Sequence, residues 1–256
     1  MLGSGPLWFR VKRLRKSSMK EEEDEMDMEV RILGLVGSPR KGGNTEVMVG
    51  AALEAAKSLG NVQTEMVLMA GRNVHPCTGC SHCWFQKGIC KIKDDADEIQ
   101  QKMLEADGLV VGSPSYFGSI TSTLKALFER CLRLNILKNY PENIDYENIK
   151  NEEVVFPLRN KVAGAISVGG VPSGGQEKVI IDIHAFFLLN DMIIVSDGGI
   201  RTPEVHPHFG GVGIARGKKQ ITKDPYGMAT SRSVGMRVAE VAKFIKLGMR
   251  LSQQEK

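Results

Sequence analysis

Four of the five cysteines fall within one short segment, as Cys77, Cys80, Cys83 and Cys90. Their pattern is C-x2-C-x2-C-x6-C, with Gly79 and Gly88 placed to allow tight turns. Three cysteines in steps of three, followed closely by a fourth, is the compact spacing of an iron–sulfur cluster. Zinc sites more often use two separated C-x-x-C pairs. On spacing alone a cluster, zinc or no metal all remain open. His82 lies inside the segment, but four thiolates already suffice, and it reads as a solvated loop residue. Cys131 stands among Leu127, Phe128 and Leu134 and reads as a small buried hydrophobe. An odd, clustered set of cysteines does not describe a secreted disulfide framework. It describes thiolate chemistry in a reducing compartment, so a cytoplasmic location is expected.

A second chemical signal is Gly37-Ser38-Pro39-Arg40-Lys41-Gly42-Gly43-Asn44-Thr45, between an apolar run and a helical pattern. A loop that opens a helix points unpaired N–H groups and the positive end of the helix dipole at an anion. Gly37 and Gly42 have Walker A spacing, but Gly43-Asn44 follow, so the phosphate-binding lysine and magnesium hydroxyl are missing. The Gly-x-Gly-x-x-Gly dinucleotide fingerprint is also missing. Ser38, Asn44, Thr45 and Arg40 suit a terminal phosphate monoester held without a metal. Two further loops complete the picture. Ser113 to Ser119 carries Tyr116 and Phe117 between Pro114 and Gly118, and Gly169 to Gln176 contains Gly170, Gly174 and Gly175. Aromatic rings and close-approaching backbone both suit a flat ligand. Nothing resembles a Ser-His-Asp triad or a Cys-His pair, and His206 and His208 read as loop residues. The protein would position a redox cofactor rather than supply an acid or base.

These loops need a frame. Short apolar runs at Val30–Gly37, Val62–Met69, Gly108–Gly112, Lys161–Val168 and Met192–Val195 read as buried strands. Helical patterns cover Glu46–Leu59, Asp94–Glu105, Thr121–Leu134, Gln176–Leu189 and Met228–Leu251, and 197–227 reads as loop. Five strands alternating with helices predict an α/β fold with one parallel sheet wound on both faces. Ligands on such a sheet sit beyond the carboxyl ends of the strands, where all three loops emerge. Residues 135–160 break the alternation and look like an insertion after the third helix.

The runs GSPRKGGNT, SPSYFGSITSTLKALFER and GGVPSGGQE, in that order across about residues 29–250, resemble the flavodoxin-like family of NAD(P)H-dependent FMN reductases. The compact four-cysteine motif after the second strand resembles the iron–sulfur flavoprotein branch of that family. The resemblance implies a five-stranded sheet of order 2-1-3-4-5 and FMN as ligand. Ser38, Arg40, Asn44 and Thr45 would hold its phosphate. Pro114, Tyr116, Phe117, Gly118, Gly170, Gly174 and Gly175 would hold its ring. It further implies a [4Fe–4S] cluster on Cys77, Cys80, Cys83 and Cys90, a ferredoxin-like electron donor, and a homodimer or homotetramer. In that strand order the cysteine loop, 76–91, opens beside the flavin edge, since neighbouring strands lie ~4.8 Å apart. A cluster-free NAD(P)H-dependent FMN or quinone reductase is the main alternative, and a non-catalytic flavin- or zinc-binding sensor is a third.

Composition excludes other classes. The 256 residues are 42% hydrophobic and 25% charged, with a net charge of +4, too mildly basic for a dedicated nucleic-acid binder. The greasiest stretch, Val179–Val195, is broken by Asp182, His184, Asn190 and Asp191, so no membrane span is expected. Residues 1–27 hold six positive and six negative charges in opposed blocks. They read as a disordered arm or as sequence ahead of a true start at Met19, Met26 or Met28, leaving 28–256 as the FMN-binding domain.

Overall fold

Strands in the middle of a parallel sheet are covered on both faces and should be apolar throughout. β1 (Val30–Val36), β3 (Gly108–Pro114) and β4 (Val162–Gly169) meet that demand, with Arg31 the one exposed residue in the three. β2 (Val62–Leu68), at the edge, mixes buried and exposed positions. The structure is a computed structural model that describes residues 28–135, 156–198 and 208–254. The N-terminal arm, His206 and most of the 135–160 insertion lie outside the described residues.

The sheet order is β2-β1-β3-β4-β5, all parallel, as the resemblance implied. The helices are α1 (Asn44–Lys57), α2 (His82–Phe85), α3 (Ala96–Glu105), α4 (Ser122–Arg130), α5 (Gln176–Leu189) and α6 (Pro225–Gln254). Side chains alternate across each strand, which divides the core in two. Leu33, Leu35, Leu109 and Val111 pack with Ile99, Met103, Leu124, Leu127 and Ile183 from α3, α4 and α5. Ile32, Val36, Val110 and Ile166 pack with Met48, Val49, Val234 and Val238 from α1 and α6. There α6 crosses α1 backbone to backbone: a Cβ on Gly235 would lie 1.9 Å from the Ala52 carbonyl oxygen. Among the described residues no helix is long and apolar enough to cross a membrane.

The structure corrects the loop reading of 197–227. β5 (Ile193–Val195) pairs only with Val162–Gly164 of β4, and a further strand, β6 (Gly211–Ile214), pairs in parallel with Ile166–Gly169 just beyond it. The fifth position of the sheet is thus filled by two segments in line. The sequence hides β6 because two of its four residues are glycine. Packing demands them: a Cβ on Gly213 would come within 2.5 Å of the Ile221 side chain. A 3-10 turn, Gln220–Lys223, follows, and α6 begins at Pro225, three residues earlier than Met228. Proline suits a first helical position because its missing N–H would be unpaired there anyway.

Candidate functional site

β1 and β3 lie side by side, yet their crossovers leave in opposite directions, to β2 and to β4. That divergence opens a crevice at their carboxyl ends. The cleft found there has a volume of about 530 Å³ and is lined from the loops after β1, β3, β4 and β6. Four cationic residues, Arg40, Lys41, Arg216 and Lys218, line it, and no aspartate or glutamate does. At its floor α1 starts on Gly43, with no side chain capping its first N–H groups. Backbone donors, a helix dipole and four cations favour an anion. The loop is set from within: Ser38 is buried, and its Oγ accepts the Arg40 N–H at 3.2 Å.

On the third-strand loop, Tyr116 and Ser119 exchange backbone hydrogen bonds of 3.0 and 3.2 Å around a two-residue turn. Phe117 (φ +52°) and Gly118 (φ +78°) both adopt the left-handed region, as the centre of a type I′ turn requires. Phe117 is left fully exposed, an uncommon state for an aromatic residue at positive φ. The fourth-strand loop is bound to it: Ser115 Oγ donates to the Gly174 carbonyl at 2.6 Å. A Cβ on Gly175 would stand 2.8 Å from Gly118 Cα.

The cysteine segment is organised differently. None of residues 76–91 lines the cleft. The segment docks instead on the carboxyl end of α4. Glu129 accepts the Cys77 N–H at 3.3 Å, and Arg133 reaches the Gly88 carbonyl at 3.4 Å. Arg130 donates to the carbonyls of His75 at 3.3 Å and Ile92 at 2.9 Å. The cysteine loop, expected to open beside the flavin edge within or between subunits, is not part of the lining of this cleft.

All four cysteines are free, Cys77 and Cys80 exposed and Cys83 and Cys90 half-buried. The Cys80 thiol is lowered, first by the His82 backbone N–H and then by Thr78. The Cys83 thiol is raised, first by burial and further by the charges of Cys90 and Cys77. Among the described residues no three His, Cys, Asp or Glu side chains stand as a ready metal-holding group. The donor set nonetheless fits an iron–sulfur cluster. Four unpaired thiols are gathered in a segment held at both ends. Beside them the buried Arg130 Nε has no hydrogen-bond partner, and Cys90 is among the groups whose charge keeps that guanidinium protonated. Cys131 is the buried residue the sequence implied: burial pushes its thiol up to about 12, which leaves it unreactive.

A family model described as NADPH-dependent FMN reductase matches residues 30–206. The chain belongs to that family. It is 40% identical over 217 residues to an iron–sulfur flavoprotein of Methanocaldococcus jannaschii, covering 85% of this chain and all of that one. It is 38% identical over 217 residues to an iron–sulfur flavoprotein of Methanosarcina thermophila, covering 85% and 97%. These relatives place it on the iron–sulfur flavoprotein branch. The solved flavodoxin, WrbA-like protein from Agrobacterium tumefaciens superposes with a TM-score of 0.55 at 14% identity, over 84% of this chain and 99% of that one. That similarity shows the flavodoxin-like fold. As an FMN reductase family member the chain is an FMN-dependent oxidoreductase.

Against this FMN reductase frame, the structure divides the residues singled out from sequence. Ser38, Arg40, Asn44, Thr45, Pro114, Tyr116 and Gly170 line the one cleft. Phe117, Gly118, Gly174 and Gly175 do not; the three glycines join the two loops behind it. Asn44 lines the cleft, but both ends of its side chain are committed. Nδ2 donates to the Gly217 carbonyl at 2.8 Å, and Oδ1 accepts the Ile221 N–H at 3.3 Å. What Asn44 offers a ligand is its place in the first turn of α1. Sequence reasoning missed Lys41, Ser115, Arg216 and Lys218. The last two arrive on the loop after β6, which no strand signal announced. Lys41 stood inside the phosphate loop and was legible there.

Proposed function

We propose that the cleft binds FMN and that the four cysteines hold a [4Fe–4S] cluster. Electrons would enter from a one-electron, ferredoxin-like donor and leave to a small acceptor such as O₂, H₂O₂ or a quinone. The observation that carries the flavin part is the uncapped α1 N-terminus in a cleft whose only charged lining is cationic. FMN supplies the ability to store two electrons and exchange them singly or in pairs, and the cluster supplies one-electron exchange. The protein's own residues bind and orient. Ser38 and Thr45, with the first-turn backbone, and Arg40 receive the phosphate, assisted by Lys41, Arg216 and Lys218. Pro114, Tyr116 and Gly170 bound the ring site, Gly118, Gly174 and Gly175 fix its walls, and Phe117 covers its mouth from this chain or from a neighbouring subunit. Among the described residues that line the cleft there is no carboxylate or histidine, so the lining would bind and orient the flavin rather than supply it with an acid or base.

Assembly as a homodimer or homotetramer belongs to this proposal. It is supported by Phe85, Phe117, Leu188 and Leu189, each more than two-thirds exposed, and by the separation of cysteine loop from cleft within one chain. A cytoplasmic location belongs to it too, supported by five free cysteines. The second reading is a cluster-free NAD(P)H-dependent reductase. It is favoured by the want of a ready metal-holding group among the described residues.

An ultraviolet–visible spectrum of anaerobically purified protein, with iron and sulfide analysis, separates the two. Flavin bands above a broad cluster shoulder are expected; fewer than two irons per chain after reconstitution overturns the cluster. Anaerobic mixing then tests the donor. Bleaching only by reduced ferredoxin supports the first reading, and rapid bleaching by NADPH supports the second.

A further inference from the structure

Arg130 and Asp94 form an ion pair of 2.9 Å whose side chains are 1% and 0% exposed. An ion pair this deep is costly to desolvate and is weak evidence of a stability role by itself. Its wiring points to another purpose. The guanidinium holds the His75 carbonyl just before the cysteines and the Ile92 carbonyl just after them. Asp94 accepts the His75 N–H at 2.9 Å through the same oxygen that meets Arg130, and the Ala96 N–H at 3.0 Å through the other. The two ends of a segment rich in exposed residues are thus pinned to one buried pair. Three of the five guanidinium N–H donors are spent on this clamp, and another, Nε–H, is buried with no partner. A buried unpaired donor is costly and calls for an explanation.

We infer that Arg130 is a positioning residue for the four-cysteine centre: it fixes both ends of the loop, and its unpartnered Nε–H is the donor for a thiolate sulfur at Cys90. This rests on the cluster reading above. A thiolate-ligated cluster is anionic and becomes more so on reduction, so a buried cation and an N–H donor beside one sulfur favour the reduced form. Lys87 and Lys91 lie within the loop, and Glu129, Arg133 and Asp94 bond its backbone or that of the residue just before it. Asp94 is already saturated by Arg130 and two amides, and the guanidinium is buried.

The test uses the full chain, reconstituted anaerobically with iron and sulfide, as wild type, Arg130→Lys and Arg130→Met. Iron, sulfide and FMN content, the rate of iron loss to a chelator, and the cluster midpoint potential by redox titration monitored by electron paramagnetic resonance are measured. Arg130→Met should shift the reduction equilibrium at least tenfold toward the oxidised form, about 59 mV lower for a one-electron couple, with FMN content unchanged. Arg130→Lys keeps the charge but not the fork, so iron should leave at least tenfold faster while the potential stays near wild type. If Arg130→Met loses FMN together with iron, Arg130→Lys carries the test, and an unchanged chelation rate overturns the inference. Full iron with an unshifted potential in Arg130→Met overturns it as well. A wild type with fewer than two irons overturns the cluster reading and this inference with it; a fully loaded wild type with indifferent variants overturns this inference alone.

Discussion

The cleft and the cysteine loop are both loops at a sheet edge, but they are built on opposite terms. The cleft is set before any ligand arrives: two of its loops leave the fully buried strands β3 and β4 and are bolted together through Ser115, Gly174, Gly175 and Gly118. The cysteine loop is pinned at its two ends and at a few backbone points, and its sulfurs are exposed or half-buried. A flavin phosphate and ring can be met by rigid backbone. A cluster supplies its own bonds, and its loop needs anchored ends more than a packed interior. One site is therefore organised by the sheet, and the other is completed by what it holds.

Breaking each side separately is the way to sharpen this contrast. The largest effect belongs to the ligands: Cys83→Ser should remove essentially all cluster iron while FMN content, measured by flavin absorbance, stays at wild type. Parallel loss of flavin would mean that the two sites are not independent. Next comes the anchor. Asp94→Ala leaves a buried arginine without its counter-charge, and calorimetry should show a loss of about 3–5 kcal/mol. Burial pushes the Asp94 carboxyl up, but the His75 and Ala96 amides and Arg130 outweigh it, and its pKa is lowered on balance. Its contribution is then complete above the unfolded carboxylate value of about 3.9. It is lost as the pH falls through the lower folded value. Wild type should destabilise over that acid window, and Asp94→Asn should flatten this part of the curve in denaturant titrations at stepped pH.

Smaller changes are expected on the cleft side. Arg40→Ala should weaken FMN binding by roughly 1.5–3 kcal/mol, the value of a hydrogen bond to a charged group. Isothermal titration with the apoprotein would read this as a ten- to hundredfold rise in Kd, with riboflavin, which lacks the phosphate, almost unaffected. Smallest is Phe117→Gly. Relief of a left-handed aromatic is worth about 1 kcal/mol, so thermal unfolding of the monomeric apoprotein should rise slightly. If Phe117 covers a neighbour's flavin, the same change should loosen the assembly in light scattering.

Much of the fold was legible because buried parallel strands announce themselves as apolar runs, and α5 occupies the very span, Gln176–Leu189, that its pattern and flanking turns implied. The phosphate loop was legible for the same local reason, since a strand, a polar glycine loop and a helix start lie within one window. β6 was not, because Gly211 and Gly213 are demanded by long-range packing and mimic a turn. Arg216 and Lys218 were lost with it. Arg130 was invisible on other grounds. Its partner Asp94 is 36 residues away, and an arginine near the end of an amphipathic helix looks like any solvated cation until tertiary structure buries it. The commitment of the Asn44 side chain to the 215–221 loop was hidden likewise, its partners lying 173 and 177 residues on.

The break in the fifth sheet position has a practical meaning. The chain leaves β4's side at Val195 and resumes the same line at Gly211, and the start of the connection is anchored: Asp197 is buried, its carboxylate accepts the His208 N–H at 3.0 Å and its carbonyl accepts from the Ser233 hydroxyl. At the other end a Cβ on Gly210 would lie 2.3 Å from the Ala165 carbonyl oxygen, so the chain re-enters the sheet at a fixed point. The footing of Arg216 and Lys218 in the cleft, on the loop after β6, depends on those anchors.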